Sequence, residues 1–528
     1  MNKSERVFRF IIPILLIVYI VLGRTILADY GVSRDERNER ESLLVNCNYI
    51  SELITGKSDP EIKELSEYSE KYYGMSAQFP MAIFEVVFKD DIRHLFLARH
   101  FYTFLFCCLG YICFYFFCSR VFKSKVLGIL GASMVALYPR FFAEQFYNIK
   151  DMVFMALFMM CFWAIELYIE SEYKWRYCFL FLLISTVAIN VRIVGAVFAA
   201  SLLGYMWIWG IRDKKLTVKK AVFQSGVIII GTPAILAALT PIAWHSPIKE
   251  VINIFKEFLN YQDWSGTIVF MGDILHKNEL PWYYIPIWLL ISLPVWYLVL
   301  FGIAIGIIVF ELFRLKKTGR SLFDVITRNK YIILAVVVGF GPWLMVAVTG
   351  ATVYNAWRHF YFILPSIVLL ALWTIKKAIS SGAFIKKVCV AITIFGMASQ
   401  LIWLVKYHPY QYVYFNEIGS LFADGFDRDY WTLSELPVYR YLKDVNVEIT
   451  GRDYFSMKTE GAAYFEYLLK DDEHEKFNTY SENPDYYAAF YRGIVGNEYS
   501  VDGYNELKSF YVNGFKIATV YVREDLMQ

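Results

Sequence analysis

The chain has 528 residues, of which 57% are hydrophobic and 19% aromatic, and its formal net charge at pH 7 is +3. Together with a mean hydropathy of +0.40, this composition excludes an ordinary soluble domain and is typical of a protein embedded in a bilayer. Seven of the eight cysteines lie in or beside apolar runs, so neither a disulfide framework nor a cysteine-based metal site is indicated. We expect membrane lipids as partners, and no nucleic acid.

Apolar runs of the length that a spanning helix needs, about 20 residues, recur along most of the sequence. They predict eleven transmembrane helices, near residues 8–28, 95–118, 126–138, 152–170, 178–190, 194–211, 221–243, 284–312, 331–349, 359–375 and 388–405. Lysine and arginine concentrate in every second loop, as is usual for cytoplasmic loops. The sequence therefore predicts a multi-pass protein of the cell membrane with a cytoplasmic N-terminus and an extracytoplasmic C-terminus. A cleaved signal peptide over residues 1–28 is the competing interpretation.

Charge is distributed unevenly between two regions of the chain. Residues 407–528 hold 11 Lys and Arg against 21 Asp and Glu, a net charge of −10, so residues 1–406 carry +13. We therefore predict a transmembrane module over 1–406, whose first extracytoplasmic loop covers about 29–94. Residues 407–528 would form a separate extracytoplasmic domain.

Local patterns predict some elements outside the membrane. Charged residues throughout Pro60–Lys71 indicate an amphipathic helix along the membrane surface. In the acidic tail, Val445–Thr450, Tyr486–Tyr491 and Phe515–Val522 are typical of strands, among stretches typical of helices. The predicted fold is therefore a polytopic α-helical membrane protein with a small C-terminal α/β domain.

Two neighbouring carboxylates follow the first predicted span. Asp35 and Glu36 lie within a few residues of the outer membrane face, where a carboxylate can act as a general base on an acceptor hydroxyl. A solvated loop beside the membrane is the competing interpretation of this pair.

The segment between the third and fourth spans is rich in both charge and aromatic residues. It contains Arg140, Glu144, Lys150 and Asp151, and charge at the edge of a span is costly unless it is paired or used. Guanidinium binds phosphate oxygens bidentately and ammonium supplies a point charge, so this loop suits a lipid phosphate.

Further cations fall in other predicted outer loops. Arg192 lies between spans five and six, and Arg358 with His359 lies between spans nine and ten. Each alone is typical of an interfacial anchor, but together they form an outward-facing cationic set that fits a phosphate or pyrophosphate headgroup.

Aromatic residues mixed with amides and carboxylates occur at Pro281–Tyr284, His408–Glu417 and Asp429–Trp431. Such surfaces hold sugars, by stacking on their C–H faces and bonding their hydroxyls, and they also anchor proteins at membrane interfaces. Both interpretations stay open for these clusters.

The order of four motifs resembles that of the integral-membrane glycosyltransferases of the GT-C superfamily. The resemblance is to the family 39-like branch, which includes protein O-mannosyltransferases and aminoarabinose transferases. It rests on Ser33–Glu36, Pro139–Asp151, Pro281–Tyr284 and Trp357–His359, and it covers the tail poorly.

This resemblance implies a sugar transferase that takes a hexosyl or pentosyl group from a polyprenyl-phosphate donor, with inversion. Asp35 would be the general base and Glu36 would orient or assist it. Glu144, Asp151 and His359 would shape the substrate pocket. The candidate ligands of the leaving phosphate are Arg140, Lys150, Arg192 and Arg358.

The resemblance requires no cofactor, and a divalent cation held by Asp35, Glu36 and Asp151 stays an open alternative. The acceptor could be a protein, a wall polymer or another lipid. A transporter or flippase of lipid-linked or small polar substrates is the main alternative from another class. It would favour charges near the bilayer midplane and internal repeats, whereas the charges here cluster at span ends.

Overall fold

The computed structural model describes residues 3–259, 266–318, 321–349, 353, 355–459 and 464–527. Its α-helices are α1 (Lys3–Ile26), α2 (Arg34–Thr55), α3 (Ala82–Val87), α4 (Ile92–Val121), α5 (Lys125–Ala136), α6 (Pro139–Tyr147), α7 (Asp151–Glu170), α8 (Trp175–Val191), α9 (Ala196–Tyr205), α10 (Val218–Leu239), α11 (Pro247–Leu259), α12 (Tyr284–Ser292), α13 (Val295–Thr318), α14 (Leu322–Arg328), α15 (Lys330–Thr349), α16 (Ile363–Ile379), α17 (Ala383–Lys406), α18 (Glu435–Thr450) and α19 (Asp471–His474). The strands are β1 (Thr267–Phe270), β2 (Asp273–His276), β3 (Phe455–Thr459), β4 (Phe477–Asn478), β5 (Tyr486–Phe490), β6 (Tyr504–Val512) and β7 (Phe515–Arg523).

Eight helical segments within the described residues are long and apolar enough to cross a membrane. They are Phe10–Asp29, Ile92–Val121, Asp151–Glu170, Ile193–Gly210, Val218–Leu239, Val295–Leu315, Lys330–Val348 and Ala383–Lys406. A ninth span results if the bent pair α5 and α6 counts as one. The chain is thus a multi-pass membrane protein of the predicted fold class, while the predicted number of eleven spans is not confirmed.

The structure differs from two predicted elements at a proline in each. The loop expected over 139–151 begins with the buried helix α6, which bends by 68° from α5. Pro139 is the first residue of α6, a position where its missing N–H costs no helical hydrogen bond. The single span expected over 284–312 is broken between α12 and α13, because Pro294 favours an extended conformation at Leu293, whose ψ is 142°.

Helix α16 lies inside the bundle. Most of its side chains are buried, and it packs against α13, α15 and α17. It corresponds to the predicted span 359–375, and its 17 residues are surrounded largely by protein.

Ion pairs and hydrogen bonds define the two ends of the bundle. At one end, Arg120 pairs with Glu166 at 2.9 Å and Lys330 pairs with Glu170 at 2.8 Å. The other end carries the C-terminal sheet, and there Arg93 at the start of α4 donates to the carbonyl of Leu468 at 3.0 Å. We call this second end the sheet end.

The first loop folds back on α2 at the sheet end. Pro60–Lys71 forms turns, so the predicted amphipathic helix is wrong. Asn48 on α2 bonds both the backbone N–H and the carbonyl of Asp59, at 2.7 and 3.1 Å, and Lys63 pairs with Glu41 at 2.9 Å. Such side-chain bonds to the backbone compete with a regular helix.

The C-terminal sheet has five strands in the order β4-β3-β5-β7-β6. The strands expected at Tyr486–Tyr491 and Phe515–Val522 are confirmed as β5 and β7. The strand expected at Val445–Thr450 is wrong, because these residues end helix α18. Gly451 stops that helix with φ of 68°, a left-handed conformation that glycine adopts without strain.

Candidate functional site

Glu36 closes the first turn of α2. One carboxylate oxygen accepts the backbone N–H of Ser33 at 2.6 Å, and the other lies 2.8 Å from Nε2 of His100 on α4. Glu36 is buried, and each of its carboxylate oxygens has a partner within the protein. Its contacts therefore fix the start of α2 and so the position of Asp35.

Asp35 is the second residue of α2, and its side chain faces solvent. Its side chain is 40% exposed, and Oδ2 accepts a hydrogen bond from Nη1 of Arg358 at 2.8 Å. This position lies in the first turn of α2, at the positive end of the helix dipole. The guanidinium of Arg358 lies over the rings of Tyr430 and Trp431, at 4.9 and 5.2 Å. Asp35 is thus an accessible carboxylate held by a buried, stacked cation.

Lys150 lies in an acidic pocket beside α2. Its Nζ is 2.5 Å from the carboxylate of Glu39 and 3.9 Å from the centre of the Tyr73 ring. Burial lowers the pKa of Lys150, but Glu39 and Glu70 outweigh burial and raise that pKa above its ordinary value. Lys150 is therefore a charged lysine that is already paired with a carboxylate.

Arg192 forms an ion pair with Asp151, which is 3% exposed. The pKa of nearby His359 lies well below its ordinary value, because of burial and the positive charges of Arg192, Arg358 and Lys150. His359 is hence a neutral imidazole at neutral pH. The structure thus brings together at the sheet end seven of the nine residues that the sequence singled out, and these seven come from four loops: Asp35, Glu36, Lys150, Asp151, Arg192, Arg358 and His359.

Arg140 and Glu144 lie on α6, deeper in the protein. Glu144 accepts hydrogen bonds from the Tyr361 hydroxyl at 2.6 Å and from Asn148 at 2.8 Å. Nε of Arg140 donates to the carbonyl of Tyr414 at 3.0 Å, and its guanidinium lies 5.5 Å from the Trp288 ring. No carboxylate lies within 4 Å of Arg140 in the part of the chain that the structure describes.

A cavity connects Arg140 with Arg358. It is lined by Arg140, Asn355, Ala356, Arg358, Tyr361, Tyr412, Asp427, Arg428, Tyr430 and Trp431. The sequence had indicated Tyr412, Tyr430 and Trp431, but it gave no reason to expect Tyr361, Asp427 or Arg428. A run of alternating charge such as Asp427–Asp429 usually lies in solvent, and here all three residues are buried.

The carboxylates considered as metal ligands point to different partners. Asp35 binds Arg358, Asp151 binds Arg192, and Glu36 binds His100. Among the residues that the structure describes, no group of three His, Cys, Asp or Glu side chains is placed to hold a metal ion. These three carboxylates therefore do not fit as a common ligand set.

We expect Glu36→Gln to lower the free energy of unfolding by about 1–2 kcal/mol, because the amide weakens the charge-assisted bond to the Ser33 N–H. Chemical denaturation of the purified protein measures this change. Glu52→Gln, at an exposed position of the same helix, is the control. Equal stability of the two variants would contradict the role given to Glu36.

Asp429 predicts a pH dependence of stability. It accepts the backbone N–H groups of Leu433 and Ser434, and burial raises its pKa to about 6. Because the folded pKa exceeds the unfolded value, the folded state binds the proton more tightly. Stability should fall as the pH rises from about 4 to about 6. Melting temperatures measured across this pH range should fall less steeply with pH in Asp429→Asn than in the natural protein. In the exposed Asp444→Asn they should fall as steeply as in the natural protein.

No family model matches the sequence, and no curated protein matches it. Among solved structures, the chain is similar to ArnT from Cupriavidus metallidurans in the apo state, with 11% identity and a TM-score of 0.45. It is also similar to the same protein bound to undecaprenyl phosphate, with 11% identity and a TM-score of 0.43. Both similarities cover 100% of each chain.

Proposed function

We propose that the protein is a membrane glycosyltransferase that moves a sugar from a polyprenyl-phosphate donor to an acceptor hydroxyl on the extracytoplasmic face. The observation that carries this proposal is the pair of Asp35 and Arg358. An accessible carboxylate stands at a helix N-terminus, beside buried cations at one end of a membrane bundle. This arrangement offers a base for an acceptor hydroxyl, and the cavity that runs from Arg358 to Arg140 offers positive charge for a phosphate.

The reaction would be a single displacement. Asp35 takes the proton of the acceptor hydroxyl as the hydroxyl oxygen bonds to the anomeric carbon. The bond from that carbon to the phosphate oxygen breaks, and the electron pair leaves with the phosphate. Attack opposite the leaving group inverts the anomeric carbon. Positive side chains neutralise the departing phosphate, so this scheme requires no covalent intermediate.

The distribution of charged side chains between the two ends of the bundle supports an extracytoplasmic reaction. Arg120 and Lys330 lie at the end opposite the sheet end, where charged side chains of α4, α7 and α15 meet. Lysine- and arginine-rich loops face the cytoplasm. The sheet end, with Asp35, would then face outward, and the proposed topology has the N-terminus inside and the C-terminus outside.

Reconstitution tests the proposal and its main alternative. Purified protein in liposomes would receive polyprenyl-phosphate donors with radiolabelled hexose or pentose, together with hydroxyl acceptors of the protein, polymer and lipid classes. A labelled acceptor and released polyprenyl phosphate support sugar transfer. If no donor is consumed while a labelled substrate crosses the bilayer, the protein is a transporter or flippase instead.

A further inference from the structure

Three of the four cations that the sequence assigned to a phosphate already have a carboxylate partner. Lys150 pairs with Glu39, Arg192 with Asp151, and Arg358 with Asp35. A phosphate that bound any one of these cations would compete with a carboxylate already in contact with it. These pairs therefore offer little net positive charge to an anion.

Arg140 differs from these three. It is 6% exposed, and among the described residues no carboxylate lies within 4 Å of it. Its Nε has the Tyr414 carbonyl as acceptor, whereas Nη2 is buried with no hydrogen-bond partner among those residues. A buried guanidinium N–H without an acceptor costs stability, so such a group is expected to meet a ligand.

Two more buried donors line the same cavity as Arg140. Nδ2 of Asn355 and Nε of Arg428 have no hydrogen-bond partner within the described chain, and the two residues are 4% and 2% exposed. Asp427 also lines the cavity, but its two oxygens accept the backbone N–H groups of Val269 and Gly493. Nη1 of Arg428 pairs with Asp424 at 3.1 Å, so of the two guanidinium groups among these donors only that of Arg140 has no carboxylate partner in the described part of the chain. The cavity wall still carries unused donors on three side chains, and the carboxylate of Asp427 is already engaged.

We propose that this cavity binds an oxyanion, a phosphate or a carboxylate group, through Arg140, Asn355 and Arg428. The aromatic side chains of Tyr412 and Trp431 complete its wall, so an organic group attached to the oxyanion has surfaces to pack against. The inference rests on the proposed function only for the origin of the oxyanion. That origin is either the phosphate of the lipid donor or an acid group on the sugar or acceptor.

Asn355→Asp is the sharpest test, because it changes the charge of the wall and almost nothing of its shape. Asn355 has φ of 57°, a left-handed conformation that aspartate also tolerates. The new carboxylate would repel an oxyanion and neutralise the nearby guanidinium groups. We expect weaker anion binding, by about tenfold or more, and unchanged or higher thermal stability without ligand.

A matched control exists in the C-terminal sheet. Asn513 also has a left-handed φ, of 47°, and it precedes Gly514 in the turn between β6 and β7. Aspartate suits such a turn as well as asparagine does. Asn513→Asp should therefore keep the anion affinity of the natural protein.

Binding would be measured by calorimetry on the full chain in detergent, with inorganic phosphate, glucuronate and a polyprenyl phosphate without sugar as probes. If Asn355→Asp weakens the binding of polyprenyl phosphate, and inorganic phosphate competes with polyprenyl phosphate for the natural protein, the site holds the donor phosphate. If only glucuronate binding weakens, the oxyanion belongs to the sugar or acceptor. Equal binding of all three probes to the natural protein and both variants overturns the site.

Stability separates a lost ligand site from a damaged fold. Phosphate or glucuronate, whichever binds, should raise the melting temperature of the natural protein and of Asn513→Asp, but not that of Asn355→Asp. A fall in the ligand-free melting temperature of Asn355→Asp also contradicts the proposal. Neither readout depends on sugar transfer, so the proposed function and this site can fail separately.

Discussion

Asp35→Asn should abolish sugar transfer almost completely, with a loss of about 10²- to 10⁴-fold in the initial rate. Asparagine has the size of aspartate and can still accept a hydrogen bond from Arg358, but it cannot take the proton of an acceptor hydroxyl. The loss should therefore appear in the catalytic rate more than in the binding of the donor. Initial transfer rates in proteoliposomes, measured over a range of labelled donor concentrations with acceptor present, give both the catalytic rate and the apparent affinity for the donor.

Glu41→Gln is the matched control for this substitution. Glu41 lies on the same helix, its side chain is 42% exposed against 40% for Asp35, and it pairs with Lys63 on the surface. The same chemical change there should leave the transfer rate unaltered. Transfer that persists undiminished in Asp35→Asn would show that the base is another residue.

Arg192→Met should be the most destabilising of the substitutions considered. It leaves the carboxylate of Asp151, 3% exposed, without its cation, and breaking a buried ion pair in this way costs about 3–5 kcal/mol. Methionine keeps much of the side-chain volume, so a cavity contributes little to the loss. Denaturation in detergent measures the free energy of unfolding.

Arg440→Met supplies the comparison at an exposed ion pair. Arg440 and Asp29 are 47% and 37% exposed, and such pairs contribute about 0–1 kcal/mol. Adding Asp151→Asn to Arg192→Met should recover much of the lost stability, because the unpaired charge is then gone. A similar small loss in Arg192→Met and Arg440→Met would mean that Asp151 is solvated or paired in another way.

Local sequence patterns were sufficient for most of the long apolar helices and for two strands of the tail. A run of about 20 apolar residues specifies a spanning helix without reference to the rest of the chain. The alternation in Val445–Thr450 misled, because Val445 and Ile449 also lie four residues apart, on one face of a helix. Both pack against the core of the C-terminal sheet, so tertiary packing decided between two patterns present in the same residues.

The candidate site was predictable in part. Counting the predicted loops places four of the site residues at the same end of the bundle, because each lies next to a span on one side of the membrane: Asp35, Lys150, Arg192 and Arg358. The partners of these residues cannot be predicted in the same way. Glu39 lies on the same helix as Asp35, and no local sequence pattern links it to Lys150. The wall residue Arg428 was missed because its burial depends on contacts with Asp424, Asn497 and the backbone of Lys516.

The contact between Asp35 and Arg358 has a consequence for the synthesis of the protein. The two residues are 323 positions apart in the chain. At about 5–20 residues per second, a ribosome needs roughly 16–65 s to pass from one to the other. Throughout that interval the growing chain displays Asp35 without its cation, and Arg428 emerges later still. The nascent protein therefore has no complete site until nearly all of its membrane helices have been made.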